Sequence, residues 1–137
     1  MLRHWLEGYE RAWRAPGTDA LAELFTEDAT YSTDPYESPH RGLTAIGEMW
    51  EAERSGPHEE FEMSSEVVAV EGGIGVVRVE VQYRAPEDMG RRGHRQQLEY
   101  RDLWIVRLDE AGLCSHFEEW PFWPPGEKGA PAVGPDA

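Results

Sequence analysis

Near Pro57 the hydrophobic period of the chain changes, and this constrains its fold more than any other feature. Before it, Leu2, Trp5, Leu6, Tyr9, Ala12 and Trp13 recur at helical spacing and form one broad apolar stripe. "APGT" breaks that helix, and Thr18 or Asp19 caps a second, short one through "DALAELF", ended by the polar "TEDA". "TYST" reads as a short strand. A Pro-punctuated loop, "DPYESPHRG", leads through Gly42 into a third helix, "LTAIGEMWEAERS", closed by "SGP". Beyond Pro57 the period is two. Strands are expected at "EFEMSSEVVAVE", "GIGVVRVEVQYRA", "RQQLEYRDLWIVRL" and "GLCSHFEEWPFW", joined by "EGG", "PEDMGRRGH" and "DEAG". The order helix, helix, strand, helix, four strands is an α+β plan, with helices on one face of a curved, mostly antiparallel sheet.

Within the second of these strands, "VVRVEVQY" offers two faces: Val77, Val79, Val81 and Tyr83 on one, Arg78, Glu80 and Gln82 on the other. Simple alternation puts the valines inside. With the opposite parity the polar triplet becomes the floor of a site.

The chain has 137 residues, enough for one domain that buries roughly two-thirds of its unfolded surface. That domain is read as residues 1–123, followed by a patternless Pro, Gly and Ala-rich tail, 124–137, expected to be loose or draped on the surface. With 27 acidic and 13 basic residues the formal net charge is -14. No basic stripe is available for phosphates, so nucleic acid and anionic membranes are poor partners and small molecules or proteins remain. A single cysteine, Cys114, rules out an internal disulfide framework, and no Cys and His spacing suggests a metal. "MLRHWLEGYERAW" is too charged for a signal peptide, and no apolar run approaches the roughly 20 residues of a membrane span. A soluble cytoplasmic protein is expected.

"YERAW", "ALAELFTEDATY" and "PHRGLTAIGEMW" together resemble the first half of the nuclear transport factor 2-like superfamily, which includes SnoaL-like polyketide cyclases and ketosteroid isomerases. "DLWIVRLDEAGLCSHFEEW" resembles its two closing strands, so the likeness runs from about residue 2 to 123. It implies a cone-shaped α+β barrel with three N-terminal helices packed on the sheet and a pocket between the concave face and the first helix. It also implies a homodimer through the convex face. An apolar outer face would turn Val77, Val79 and Val81 outward and Arg78, Glu80 and Gln82 inward.

Three groups of residues could then carry chemistry. "RVEV" and "HFEEW" are similar to the strands on which limonene epoxide hydrolases hold two acids bridged by an arginine. The resemblance gives Arg78 as bridge, Glu80 and Glu118 as acid and base, Tyr31 as the group that positions water, and Thr33 in place of an asparagine. An arginine that lowers one carboxyl pKa while proximity raises the other separates acid from base. A surface ladder is the alternative. In the likeness to ketosteroid isomerases, Tyr9 stands where a tyrosine donates to a developing oxyanion and "TDPYES" resembles the loop of the catalytic base. Asp34 is then the base, Asp102 a second acid, and Trp104 falls at the position of that acid. The alternatives are a core tyrosine and an Asx turn before Pro35. His40 and His116 are candidate bases, as in dehydratases of the superfamily. His116 shares a face with Glu118 and Trp120, but two residues apart on a strand they stand roughly 7 Å apart, so no direct bond is implied. His4, His58 and His94 read as solvent or turn residues.

Six tryptophans suggest a spacious aromatic pocket, reached by Trp5, Tyr9, Trp13, Tyr31, Tyr36, Trp50, Tyr100, Trp104 and Trp120, about half of which would instead fill the core or a dimer seam. The expected protein is an acid-base enzyme on a small hydrophobic molecule, needing no cofactor or metal. Epoxide hydrolysis or a related hydration or cyclisation leads, ahead of ketosteroid-isomerase-like proton transfer and a non-catalytic binding module.

Overall fold

A computed structural model describes residues 1–53, 61–83 and 99–124. Helix α1 spans Leu2–Arg14, and a 3₁₀ turn at Asp19–Glu23 leads into strand β1, Phe25–Ser32. Strand β2, His40–Arg41, runs directly into helix α2, Gly42–Glu53. The strands β3, Phe61–Glu71, β4, Ile74–Tyr83, β5, Glu99–Leu108, and β6, Cys114–Phe122, follow. They form one six-stranded sheet in the order β2-β1-β6-β5-β4-β3. Every neighbouring pair is antiparallel except β1 with β6. The turn "PEDMGRRGH", the stop "SGP", His58, His94 and the tail beyond Pro124 lie outside the described residues.

Two glycines fix connections. Gly42, with φ of 88°, turns the chain from β2 into α2. At the β3–β4 turn a side chain on Gly73 would meet the Leu108 carbonyl oxygen at 2.7 Å, where the Leu108 N–H instead bonds Gly73 O at 2.8 Å.

The expected second helix is only a 3₁₀ turn. Leu21 is its sole buried residue, and the Leu24 carbonyl accepts the Cys114 N–H at 2.7 Å, which brings Phe25 into the sheet beside β6. The first strand therefore begins at Phe25 rather than at "TYST". Among the described residues two α-helices, not three, pack on the sheet.

The apolar stripe of α1 buries Trp5, Leu6, Tyr9, Ala12 and Trp13, and α2 buries Ile46 and Trp50. Against them, Val77, Val79, Val81 and Tyr83 of β4 are all buried, whereas Arg78, Glu80 and Gln82 are exposed. The expected inversion of "VVRVEVQY" does not occur. Each valine gains roughly 1.5–3 kcal/mol from full burial, and the opposite parity would force three polar side chains into a helix-covered core. The apolar residues of the outer face are Val76 at the start of that stretch and, beyond it, Leu103, Ile105, Trp120 and Phe122, adjacent across β4, β5 and β6. Of these Leu103, Trp120 and Phe122 are substantially exposed.

Candidate functional site

On the inner face, registers Val79 with Asp102, Val77 with Trp104, and Trp104 with Glu119 bring two carboxylates under the helices. Asp102 and Glu119 are 3% and 5% exposed, the only charged residues buried among those described. The indole N–H of Trp104 donates to Asp102 Oδ2 at 2.9 Å, which fixes that ring over the sheet. From α1 and β1 the hydroxyls of Tyr9 and Tyr31 meet at 2.7 Å. Either hydroxyl can be the donor in this bond.

Tyr9, Trp13, Tyr31, Tyr100, Trp104 and Glu119 line a single cleft, with Met49 and Met63 beside them. About half of the nine aromatics expected to reach a pocket do so. Trp5 and Trp50 lie in the core, and Tyr36, 97% exposed, and Trp120 face outward. The cleft is not spacious: about 20 Å³ of it admits the centre of a water molecule. The rings fill the space against one another. Phe117 alone lies within 4.4 Å of Tyr31, 5.0 Å of Trp104 and 5.6 Å of Tyr9, centroid to centroid.

The arginine-bridged pair of acids is not assembled. Arg78 Nη1 pairs with Glu66 at 2.6 Å, and Arg101 Nε stands 3.7 Å from Glu80 Oε1. Both pairs stand in solvent on the outer face, where such contacts contribute about 0–1 kcal/mol. The surface ladder is the correct reading. Gln82 is exposed beside them.

Glu118 also faces outward. Its Oε1 accepts the Trp120 indole N–H at 2.9 Å and its Oε2 meets His116 Nε2 at 2.9 Å, so the acid and histidine do bond directly, against the expectation from strand spacing. The long glutamate arm closes the gap that two strand residues leave. His116 Nδ1 meets Thr30 Oγ1 at 2.5 Å. Which of His116 Nδ1 and Thr30 Oγ1 donates depends on where the ring carries its protons. The Trp120 hydrogen bond, followed by the hydrogen bond and charge of His116, holds the Glu118 carboxyl below its ordinary range, against an opposing effect of burial.

A carboxyl depressed in the folded state contributes stability that is present above its unfolded pKa and lost as pH falls through the folded value. Trp120→Phe is therefore expected to lower the urea midpoint at pH 6 and to narrow the difference between pH 6 and pH 3. Denaturation of both proteins at the two pH values measures this.

The loop residues take structural roles. Asp34 Oδ1 accepts the Tyr36 N–H at 2.7 Å, the Asx turn, and Asp34 does not line the cleft. Thr33 and His40 are half-buried at the β1–β2 edge and do not line it either. His4 is exposed on α1. Cys114 is buried, which pushes its thiol up to about 12 and leaves it a packing group rather than a nucleophile.

Sequence reasoning missed Glu119. In "HFEEW" adjacent acids point to opposite faces, and Glu119 shares parity with Phe117. That shared parity was the one local signal, and Trp120 on the Glu118 face offset it.

A helix-backed, open, curved sheet with an inward aromatic cleft defines a cone-like α+β protein. Residues 6–116 match the SnoaL-like domain, and the chain belongs to that family. Solved structures agree on the fold. A proposed isomerase of the SnoaL-like family from Agrobacterium tumefaciens str. C58 superposes with a TM-score of 0.62 and 14% identity, over 86% of this chain and 94% of that one. A proposed SnoaL-like polyketide cyclase from Jannaschia sp. CCS1 gives 0.62 and 16%, over 85% and 84%. An NTF-2-like protein of unknown function from Burkholderia xenovorans LB400 gives 0.62 and 15%, over 89% and 83%. A sequence search of curated proteins finds no match. Among the described residues no helix is long and apolar enough to cross a membrane, and no group of His, Cys, Asp and Glu could hold a metal ion.

Proposed function

We propose that the protein is an acid-base enzyme that moves a proton next to a carbonyl in a small hydrophobic compound, without a cofactor. The observation that carries this is Glu119, a buried carboxylate lining the same cleft as the Tyr9 and Tyr31 hydroxyls. In this reading Glu119 takes the proton from the carbon beside the carbonyl. A hydroxyl of the Tyr9 and Tyr31 pair turns to hydrogen-bond the oxygen on which charge develops. Asp102 holds Trp104 in the wall through its indole bond. Epoxide hydration has less support, because Arg78, Glu80 and Glu118 lie on the other side of the sheet from the cleft. The likeness to a proposed isomerase points the same way as the site, although a shared fold alone decides no reaction.

The test is deuterium uptake from heavy water into small cyclic ketones. Tyr9→Phe is expected to slow it by about 10²–10³-fold, the usual cost of one oxyanion donor. Ketone binding without any exchange in the unmodified protein would favour the non-catalytic binding module.

A second proposal concerns the outer face, where Leu103, Trp120 and Phe122 lie beside exposed ion pairs. A second copy of the chain fits this band, since an apolar centre with a charged rim is the usual anatomy of an interface. Sedimentation is expected to give a dimer for the unmodified protein and a monomer for Trp120→Asp. We place the protein in the cytoplasm, consistent with its one reduced, buried thiol.

A further inference from the structure

With about 20 Å³ open to the centre of a water molecule, the cleft has no room for a ring compound, and a ketone that reaches Glu119 has to part its walls. Among the lining residues Met49 and Glu53 of α2 and Met63 of β3 are half-buried, and all others are buried. The mouth therefore lies between the last turn of α2 and the start of β3. Among the described residues β3 is the outermost strand, with a sheet partner on one side only. Its start can swing without breaking the sheet between two other strands.

A cation ties that start to α1. Arg14, the last residue of the helix and the neighbour of Trp13 in the cleft wall, donates from Nη1 to the Phe61 carbonyl oxygen at 2.8 Å. Its guanidinium carbon lies 4.1 Å from the centroid of the Phe61 ring, which is itself part of the cleft wall. Glu10, one helical turn earlier, aims the guanidinium: its Oε2 accepts from Nε and Nη2 at 3.1 and 2.9 Å. Both charged side chains are partly exposed, so water can take over these bonds when they break.

We propose that Arg14 is the latch of the cleft: its bond to Phe61 holds β3 against α1, and a ligand enters when that bond opens and re-forms over it. Arg14 is a positioning residue in this role, remote from the reacting atoms. The proposal rests on the reading of the cleft as the reaction site. A charge-assisted hydrogen bond and a cation on an aromatic face are together strong enough to keep the open form a minor one. They are too weak to stop it forming between turnovers. Arg3 supplies an internal comparison. It also ties α1 to β3, through Ser65 Oγ at 3.0 Å, but at an exposed position nearer the middle of the strand.

The experiment uses the full chain labelled at its four methionine methyl groups, with Met49 and Met63 assigned by substitution to leucine. Relaxation dispersion of those two signals reports opening on the microsecond to millisecond scale with no ligand present. Arg14→Met keeps an apolar stem beside Phe61 and removes the donors, and is expected to raise the open population about five- to tenfold. Arg3→Met is expected to leave it unchanged. Cyclohexanone is expected to bind to and leave Arg14→Met about five- to tenfold faster, with Kd within about twofold of the unmodified protein. An arginine that only supports the fold would lower the urea midpoint without that split between rates and affinity. If Arg14→Met does not fold, Arg14→Lys decides: its ammonium keeps the charge but not the fork, and a smaller rise in the same direction is expected. Methyl exchange that the Arg14 variants leave unchanged, or that Arg3→Met raises equally, overturns the latch while ketone binding still upholds the cleft as the site. Failure of cyclohexanone to bind any form, with methyl exchange still raised by Arg14→Met, overturns the cleft as the reaction site and upholds the latch on its wall.

Discussion

Glu119→Gln is expected to leave the protein folded and to slow deuterium uptake into cyclic ketones by about 10²–10⁴-fold, the range that general acid-base catalysis supplies. The substitution keeps the shape of the side chain and removes only its ability to exchange a proton at neutral pH. Glu119 belongs to β6, opposite Trp104 of β5, and is held there by a central strand of the sheet. That placement makes the comparison with its neighbour informative. Glu118→Gln alters a carboxylate on the outer face, bonded to His116 and Trp120, and is expected to leave the exchange rate within about twofold. Its effect belongs instead to acid stability. Circular dichroism and a urea midpoint for Glu119→Gln separate loss of chemistry from loss of fold.

The second large effect is on stability. Phe117→Ala is expected to destabilise the fold by about 3–5 kcal/mol, the range for removing a fully buried aromatic ring. Its ring contacts Trp5, Tyr9, Phe25, Tyr31 and Trp104, so one deletion opens a cavity shared by α1, β1 and β5. Against a typical domain stability of about 5–15 kcal/mol, this is enough to bring the protein near unfolding at moderate temperature. Glu80→Ala, with only a solvent-exposed contact to Arg101 at 3.7 Å, is expected to change stability by less than about 1 kcal/mol. Urea denaturation followed by tryptophan fluorescence measures both.

The elements were legible because each carries its own period. The α1 stripe repeats at helical spacing, and β3, β4, β5 and β6 alternate between turns rich in glycine and acids. The 3₁₀ turn was not, since "DALAELF" has helical composition and only the pairing of β1 with β6 decides where the helix must stop. The parity of β4 was legible too. Plain alternation places Val77, Val79 and Val81 inside, and the likeness to a family with an apolar outer face argued for the opposite. In this chain that outer face draws its apolar residues from Leu103, Ile105, Trp120 and Phe122, so β4 has no need to invert.

The parity of β6 was harder to read. Phe117 marks one face and Trp120 the other, so hydrophobicity alone does not choose between Glu118 and Glu119. The choice comes from register with β5, where a shift between Arg107 and Leu108 still leaves Val106 opposite Phe117 and Trp104 opposite Glu119. Likewise Tyr9 and Tyr31 could each be read as functional, yet their meeting at 2.7 Å depends on how α1 lies across β1, which no local pattern encodes. Asp34 illustrates the reverse case: the turn chemistry of "DPYE" was sufficient to predict that its carboxylate caps a backbone N–H.

On the proposed mechanism, chemistry occurs on the valine side of the sheet, at Glu119, and not on the Arg78 side, at Glu118. Carbon-13 carboxyl signals of the two glutamates, followed while a cyclic ketone is titrated in, test it most directly. The Glu119 signal is expected to move with ligand occupancy while that of Glu118 stays fixed. Movement of the Glu118 signal with a stationary Glu119 would contradict it.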